Sequence, residues 1–184
     1  MDHQEIESII EGILFASGEP VAVDRLALCM DVTTEEVERA AVALAGKYDF
    51  ERRGVRLVRL EDKLQLCTRT EYAGYIRRAL ETRKAPALSQ AALEVLAIVA
   101  YRQPTTRAYV EQVRGVDSSG TMAMLAEKGL IEECGRLDVP GRPILFRTTD
   151  GFLRSFGLAT VEELPALSEE DGQMRLPAFE QEEE

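Results

Sequence analysis

Residues Ser89–Gly157 run SQAALEVLAIVAYRQPTTRAYVEQVRGVDSSGTMAMLAEKGLIEECGRLDVPGRPILFRTTDGFLRSFG. From Ser89 to Tyr101 the only charge is Glu94, which predicts a helix buried on most of its sides. Ser89 is a suitable N-cap, and Leu88 with Leu93 forms a hydrophobic staple across it. Thr106–Val113 predicts a short helix, and Arg114-Gly115-Val116 a turn. A third helix follows over Asp117–Lys128, with Asp117, Ser118 and Ser119 as alternative caps. Leu130–Cys134 and Pro143–Thr148 pair as strands around Val139-Pro140-Gly141-Arg142-Pro143, and Thr149-Asp150-Gly151-Phe152-Leu153 opens a closing helix. Helix, short helix, turn, helix and hairpin is the order of a winged helix-turn-helix.

The same plan occurs about 80 residues earlier. Ile6, Ile9, Ile10, Ile13 and Leu14 follow the i, i+3, i+4 spacing of an amphipathic helix. Gly18 and then Pro20 close it. A short helix is expected around Asp24–Cys29, and Thr33 with Glu36 makes a capping box. The helix after it carries Val37, Ala40, Ala41 and Leu44 on one face. Val55–Leu60 and Leu64–Thr68 read as a hairpin, and Thr70–Leu80 as a closing helix. Pro104 answers Pro20 at a shift of 84. The expected architecture is therefore α+β and mainly helical, with two tandem winged helix-turn-helix domains. The boundaries are 1–81, a link at 82–87, 88–167, and a disordered acidic tail at 168–184.

Composition narrows the function. Of 184 residues, 45% are hydrophobic and 30% charged, with a net charge of −11. Residues 168–184 hold seven acidic side chains against Arg175, a local −6, which leaves the body at −5. General affinity for polyanions is not expected from such a balance. Cys29, Cys67 and Cys134 form no C-x-x-C pair and read as small buried residues in a reducing cytoplasm. The acidic N-terminus is unlike a signal peptide. The longest apolar run, Val95–Tyr101, is far short of the roughly 20 residues that span a bilayer. A cytoplasmic protein without membrane attachment is expected.

Material for catalysis is scarce. Gly115-Val116-Asp117-Ser118-Ser119-Gly120-Thr121 has a phosphate loop's spacing, but Thr121 stands where lysine must reach the phosphates, and a helix precedes it where a strand should. His3 is the only histidine and lies in a terminus expected to be mobile. Neither a metal site nor a cofactor is expected. Specific DNA reading is disfavoured too, since a recognition helix needs Lys or Arg against phosphate. Residues 117–128 offer only Lys128, and the first copy's third helix opens Thr33-Thr34-Glu35-Glu36. Arginines do cluster at Arg52, Arg53, Arg56, Arg59, Arg77, Arg78 and Arg83 with Lys84. Neutralisation by the abundant acids or an accessory DNA contact would each account for them.

Signals for protein binding are more positive. Met122 and Met124 lie two apart on one helix and cannot both point directly into one core, so one is expected in an adaptable apolar surface. Arg142, between Gly141 and Pro143, could pin a carboxylate or bond carbonyls within its own wing.

The run from Leu88 to Pro104 closely resembles the segregation and condensation protein B (ScpB) family. So do Arg114-Gly115-Val116-Asp117-Ser118, Gly129-Leu130-Ile131, Gly135-Arg136 with Gly141-Arg142-Pro143, and Phe152-Leu153 with Phe156-Gly157-Leu158. Glu11–Pro20 is similar as well, and the acidic tail lies outside the resemblance. The resemblance implies a non-enzymatic, nucleoid-associated subunit acting in chromosome condensation and segregation during cell division. It implies a homodimer formed through the N-terminal domain. It also implies a kleisin partner, ScpA, held largely by the second domain, and through ScpA an SMC ATPase, with chromosomal DNA reached mainly indirectly. Tyr101, Gln103, Arg107, Met124 and Arg142 are the residues expected to grip the kleisin, since Tyr and Arg are enriched where binding energy concentrates. For Tyr101 the other reading is that it caps its own domain's core. The alternative function is a winged-helix DNA-binding transcription regulator.

Overall fold

A computed structural model describes residues 1–80 and 87–167. Residues 82–86 of the expected link and all of the expected tail lie outside the described residues. The chain divides into two compact units between Pro86 and Ala87.

In the first unit, α1 (His3–Ser17) starts because the Asp2 carboxylate accepts from the Glu5 N–H at 2.7 Å. It ends at Gly18, whose φ of 66° lets its N–H reach the Leu14 carbonyl. His3 is therefore the first residue of a capped helix and lies 3.9 Å from Glu7. The helix α2 (Val23–Met30) and the longer α3 (Thr34–Phe50) follow. The capping box at Thr33 and Glu36 is complete, with each side chain accepting from the other's backbone N–H. Strands β2 (Val55–Leu60) and β3 (Lys63–Thr68) form the hairpin, and a 3-10 turn (Thr70–Tyr72) leads into α4 (Ala73–Ala79). The core gathers Ile6, Ile10 and Leu14 with Val37, Ala40 and Leu44, closed by Leu64.

The second unit repeats this order. It contains α5 (Gln90–Arg102), α6 (Arg107–Arg114), α7 (Ser119–Glu127), strands β5 (Ile131–Arg136) and β6 (Ile144–Thr148), and α8 (Asp150–Phe156). Ser89 caps α5 by accepting from the Ala92 N–H, and Thr149 caps α8 by accepting from Phe152. Six consecutive residues of α5, Val95–Ala100, are buried, as a helix with so little charge requires. Leu125, Ile131, Phe152 and Leu153 fill the rest of the core.

Two short strands were not foreseen. Val21–Ala22 (β1) pairs with β3, and Thr105–Thr106 (β4) pairs with β6, so each hairpin is a three-stranded sheet, in orders β1-β3-β2 and β4-β6-β5. The cysteines differ from expectation as well. Cys29 and Cys134 are exposed and Cys67 is half-buried. Cys29 falls off the buried Val23, Leu26, Ala27 and Met30 face of α2, and Cys134 sits at a register shift in β5.

Candidate functional site

The five residues expected to grip a partner occupy different parts of the second unit. The Tyr101 ring, half-buried at the end of α5, lines a crevice with Leu96, Phe152, Phe156 and Leu164, and its hydroxyl donates to the Pro165 carbonyl at 2.7 Å. Burial holds its phenol above the ordinary tyrosine pKa. Tyr101 thus caps its own unit. Gln103 is also engaged, its Oε1 accepting from the Thr148 N–H at 2.6 Å and the Thr148 hydroxyl at 2.9 Å. That pair ties the end of α5 to β6.

Arg107 and Arg142 are turned outward, whereas Met124 is half-buried. Arg107 begins α6 with its side chain 61% exposed, 3.6 Å from Glu111. Thr106 pairs with Leu145, so the next residue, Arg107, lies toward the wing tip that carries Arg142. At that tip Arg142 adopts φ 39°, donates its N–H to Val139, and accepts at its carbonyl from the Arg136 guanidinium at 3.1 Å. Arg136 thus stiffens the turn, and the Arg142 guanidinium makes no hydrogen bond or ion pair among the described residues. On α7, Met122 is buried and Met124 half-buried. The spacing argument had not foreseen an exposed apolar strip on α6, where Tyr109 and Val113 stand four apart.

Neither third helix carries a phosphate-binding face. The only charge within α7 is Glu127. In α3, the four acids Glu35, Glu36, Glu38 and Asp49 outnumber the two bases Arg39 and Lys47. Several arginines of the first unit are already paired. Arg59 is bound by Glu38, Arg53 by Glu51 at 2.6 Å, and Arg78 lies 5.0 Å above the Tyr75 ring. Arg83 and Lys84 lie outside the described residues. Of the segment 115–121, residues 115–118 are the turn between α6 and α7, with Gly115 at φ 71° as the helix stop, and residues 119–121 open α7.

The first unit has a feature that its apolar spacing concealed. A groove of about 530 Å³ runs between α1 and the hairpin, lined by Leu14, Phe15, Tyr48, Val55 and Leu66 among others. Phe15 is 82% exposed there. Tyr48 at its wall is buried, and its hydroxyl lies beside Glu11 without forming a hydrogen bond. Burial first, and Glu11 second, push its pKa up to about 12. On α3, Val42 and Phe50 stand outward as well, 72% and 91% exposed. The available signal was an aromatic off the apolar stripe: Phe15 and Phe50 break the spacing that assigns each helix's inner face. Among the described residues no helix is long and apolar enough to cross a membrane, and no group of three or more His, Cys, Asp or Glu could hold a metal.

Comparison with known proteins agrees with these observations. Segregation and condensation protein B of Clostridium acetobutylicum is 48% identical over 89% of this chain and 81% of its own length. The crystal structure of ScpB from Mycobacterium tuberculosis is 34% identical, covering 86% of this chain and 98% of that one, with a TM-score of 0.43. A dimer of an ScpB N-terminal domain complexed with an ScpA peptide is 27% identical over 41% of this chain and 95% of that one, TM-score 0.40. The family described as segregation and condensation complex subunit ScpB matches residues 8–167. A chain of two winged units, matched by this family model along nearly its whole described length and by a relative 48% identical, belongs to the ScpB family.

Proposed function

We propose that the protein is a homodimeric, non-catalytic subunit of an SMC–ScpA–ScpB complex, acting in chromosome condensation and segregation by binding the kleisin ScpA. Family membership supports this, and the observation that carries it is the character of α3 and α7. A winged helix that reads DNA presents cations there, whereas these present Glu35, Val42 and Phe50 in one unit and Met124 in the other. Such surfaces suit protein partners.

In this reading the first unit pairs with a second copy through the groove holding Phe15 and Val55, and a partner group completes the Tyr48 hydroxyl's hydrogen bonding. The second unit receives a kleisin segment, with Arg107, Met124 and Arg142 as contacts and Tyr101 and Gln103 setting the shape beneath them. The test is calorimetric titration of ScpA into the full-length protein. Arg107→Ala and Arg142→Ala should each weaken binding by roughly tenfold or more at unchanged melting temperature. Tyr101→Ala should lower affinity and melting temperature together. Unchanged affinity in all three folded variants places the kleisin elsewhere. The protein should act in the cytoplasm at the nucleoid. A transcription regulator would instead shift a duplex by itself, with affinity falling steeply as salt rises.

A further inference from the structure

The crevice capped by Tyr101 is already occupied, and its occupant has a second version in the chain. After α8, Gly157 turns the backbone at φ 69°, and Leu158 donates to the Leu153 carbonyl at 2.9 Å. A 3-10 turn over Val161–Glu163 then delivers Leu164 at φ −59° and ψ 137°. Leu164 enters the crevice between α5 and α8 against Leu93, Ala97, Phe152 and Phe156, leaving only about 10 Å³ unfilled. The Pro165 carbonyl takes the Tyr101 hydroxyl at 2.7 Å. The contact is made by the Leu164 side chain and the Pro165 carbonyl, within the run Leu164-Pro165-Ala166-Leu167-Ser168-Glu169-Glu170.

Twelve residues later the chain reads Leu176-Pro177-Ala178-Phe179, followed by Glu180-Gln181-Glu182. Of the seven prolines, only Pro165 and Pro177 stand in a Leu-Pro-Ala triplet. Both copies carry what makes the observed contact. The proline biases the preceding leucine toward the extended backbone seen at Leu164, so little order must be imposed on docking. Proline supplies a carbonyl acceptor for Tyr101 and brings no N–H that the apolar crevice would leave unpaired.

We propose that this crevice is a docking site for either Leu-Pro-Ala segment of the chain, residues 164–167 in the described arrangement and residues 176–179 in exchange. The exchange lengthens the loop from Gly157 to the docked leucine from 7 to 19 residues, which favours the nearer copy by only about fivefold from chain entropy. The exchange frees the described residues 158–167, with Glu162 and Glu163, from their present arrangement, and so changes the charge displayed there without any outside ligand.

Hydrogen exchange of the full-length protein tests this. In Leu164→Asp the first copy leaves an apolar crevice, and residues 176–181 gain protection that the additional change Leu176→Asp removes. The melting temperatures follow the same logic. Leu176→Asp alone is silent, Leu164→Asp alone has a modest effect, and the double variant loses more than their sum. If Leu164→Asp also strips protection from α5, Leu164→Ala provides the same readout in a folded unit. Unprotected residues 176–181 in the folded single variant, or additive melting shifts, overturn the proposal. Protection that grows with protein concentration overturns it as well, because the segment then comes from another molecule.

Discussion

Gln103 accepts two hydrogen bonds from one threonine, and both donors depend on it. Truncation in Gln103→Ala strands the N–H and hydroxyl of Thr148, a residue only 9% exposed. A stranded buried donor costs about 1–3 kcal/mol, and a denaturant titration should show a loss of that size. Gly151 is constrained sterically. A Cβ there would stand 2.7 Å from the Gly129 carbonyl oxygen, which also accepts from the Thr149 hydroxyl at 2.5 Å. Gly151→Ala should therefore destabilise the second unit by about 1–3 kcal/mol as the backbone shifts, read as an earlier melt. Tyr48 gives a pH dependence. Its folded pKa, about 12, lies above the ordinary 10.0. Its contribution to stability is complete below pH 10 and is lost as pH rises towards 12. Tyr48→Phe should remove that alkaline decline in a pH series of unfolding curves. Because the hydroxyl is buried without a hydrogen-bond partner in the unit, the same change should raise the unit's stability at neutral pH and weaken only an assembly that satisfies it.

At the level of elements, caps and stops were the most legible features, because each rests on one or two residues with a local physical role. Thr33 with Glu36, Gly18, Ser89 and Thr149 act as their types predict. Thr33→Ala should cost about 1 kcal/mol and fray the start of α3, visible as faster amide exchange there. Legibility ended where no period exists. Strands β1 and β4 are two residues long and owe their existence to their partners β3 and β6, so no alternation announces them. The cysteines were misplaced because frequent burial of a residue type says nothing about which face of α2 or β5 it occupies. Site residues followed the same division. Tyr101 and Gln103 were noticed as chemistry at a helix end, but their partners, Pro165 and Thr148, are 64 and 45 residues away in the chain. Phe15 and Val55 form a groove only after α1 meets the hairpin.

For the whole molecule, the proposed function turns on pairing through the first unit. A standard symmetric interface buries roughly 1,200–2,000 Å², and replacing Phe15 with Glu would set a charge in its centre. Sedimentation of full-length Phe15→Glu should show monomers at concentrations where the parent is dimeric, with the helical circular dichroism unchanged. A dimeric Phe15→Glu would move the pairing face away from the groove.

The register shift in β5 has a consequence for how anything can attach to the second sheet. Between Glu133 and Gly135 the ladder to β6 slips, with Gly135 at φ 153°. The outer edge of that same strand presents Glu132, Glu133 and Arg136 to solvent. A bulged, charged rim is a poor template for an incoming strand. A visiting polypeptide is thereby denied main-chain pairing along β5 and must be recognised through side chains. The same refusal keeps neighbouring molecules from stacking rim to rim as their concentration rises.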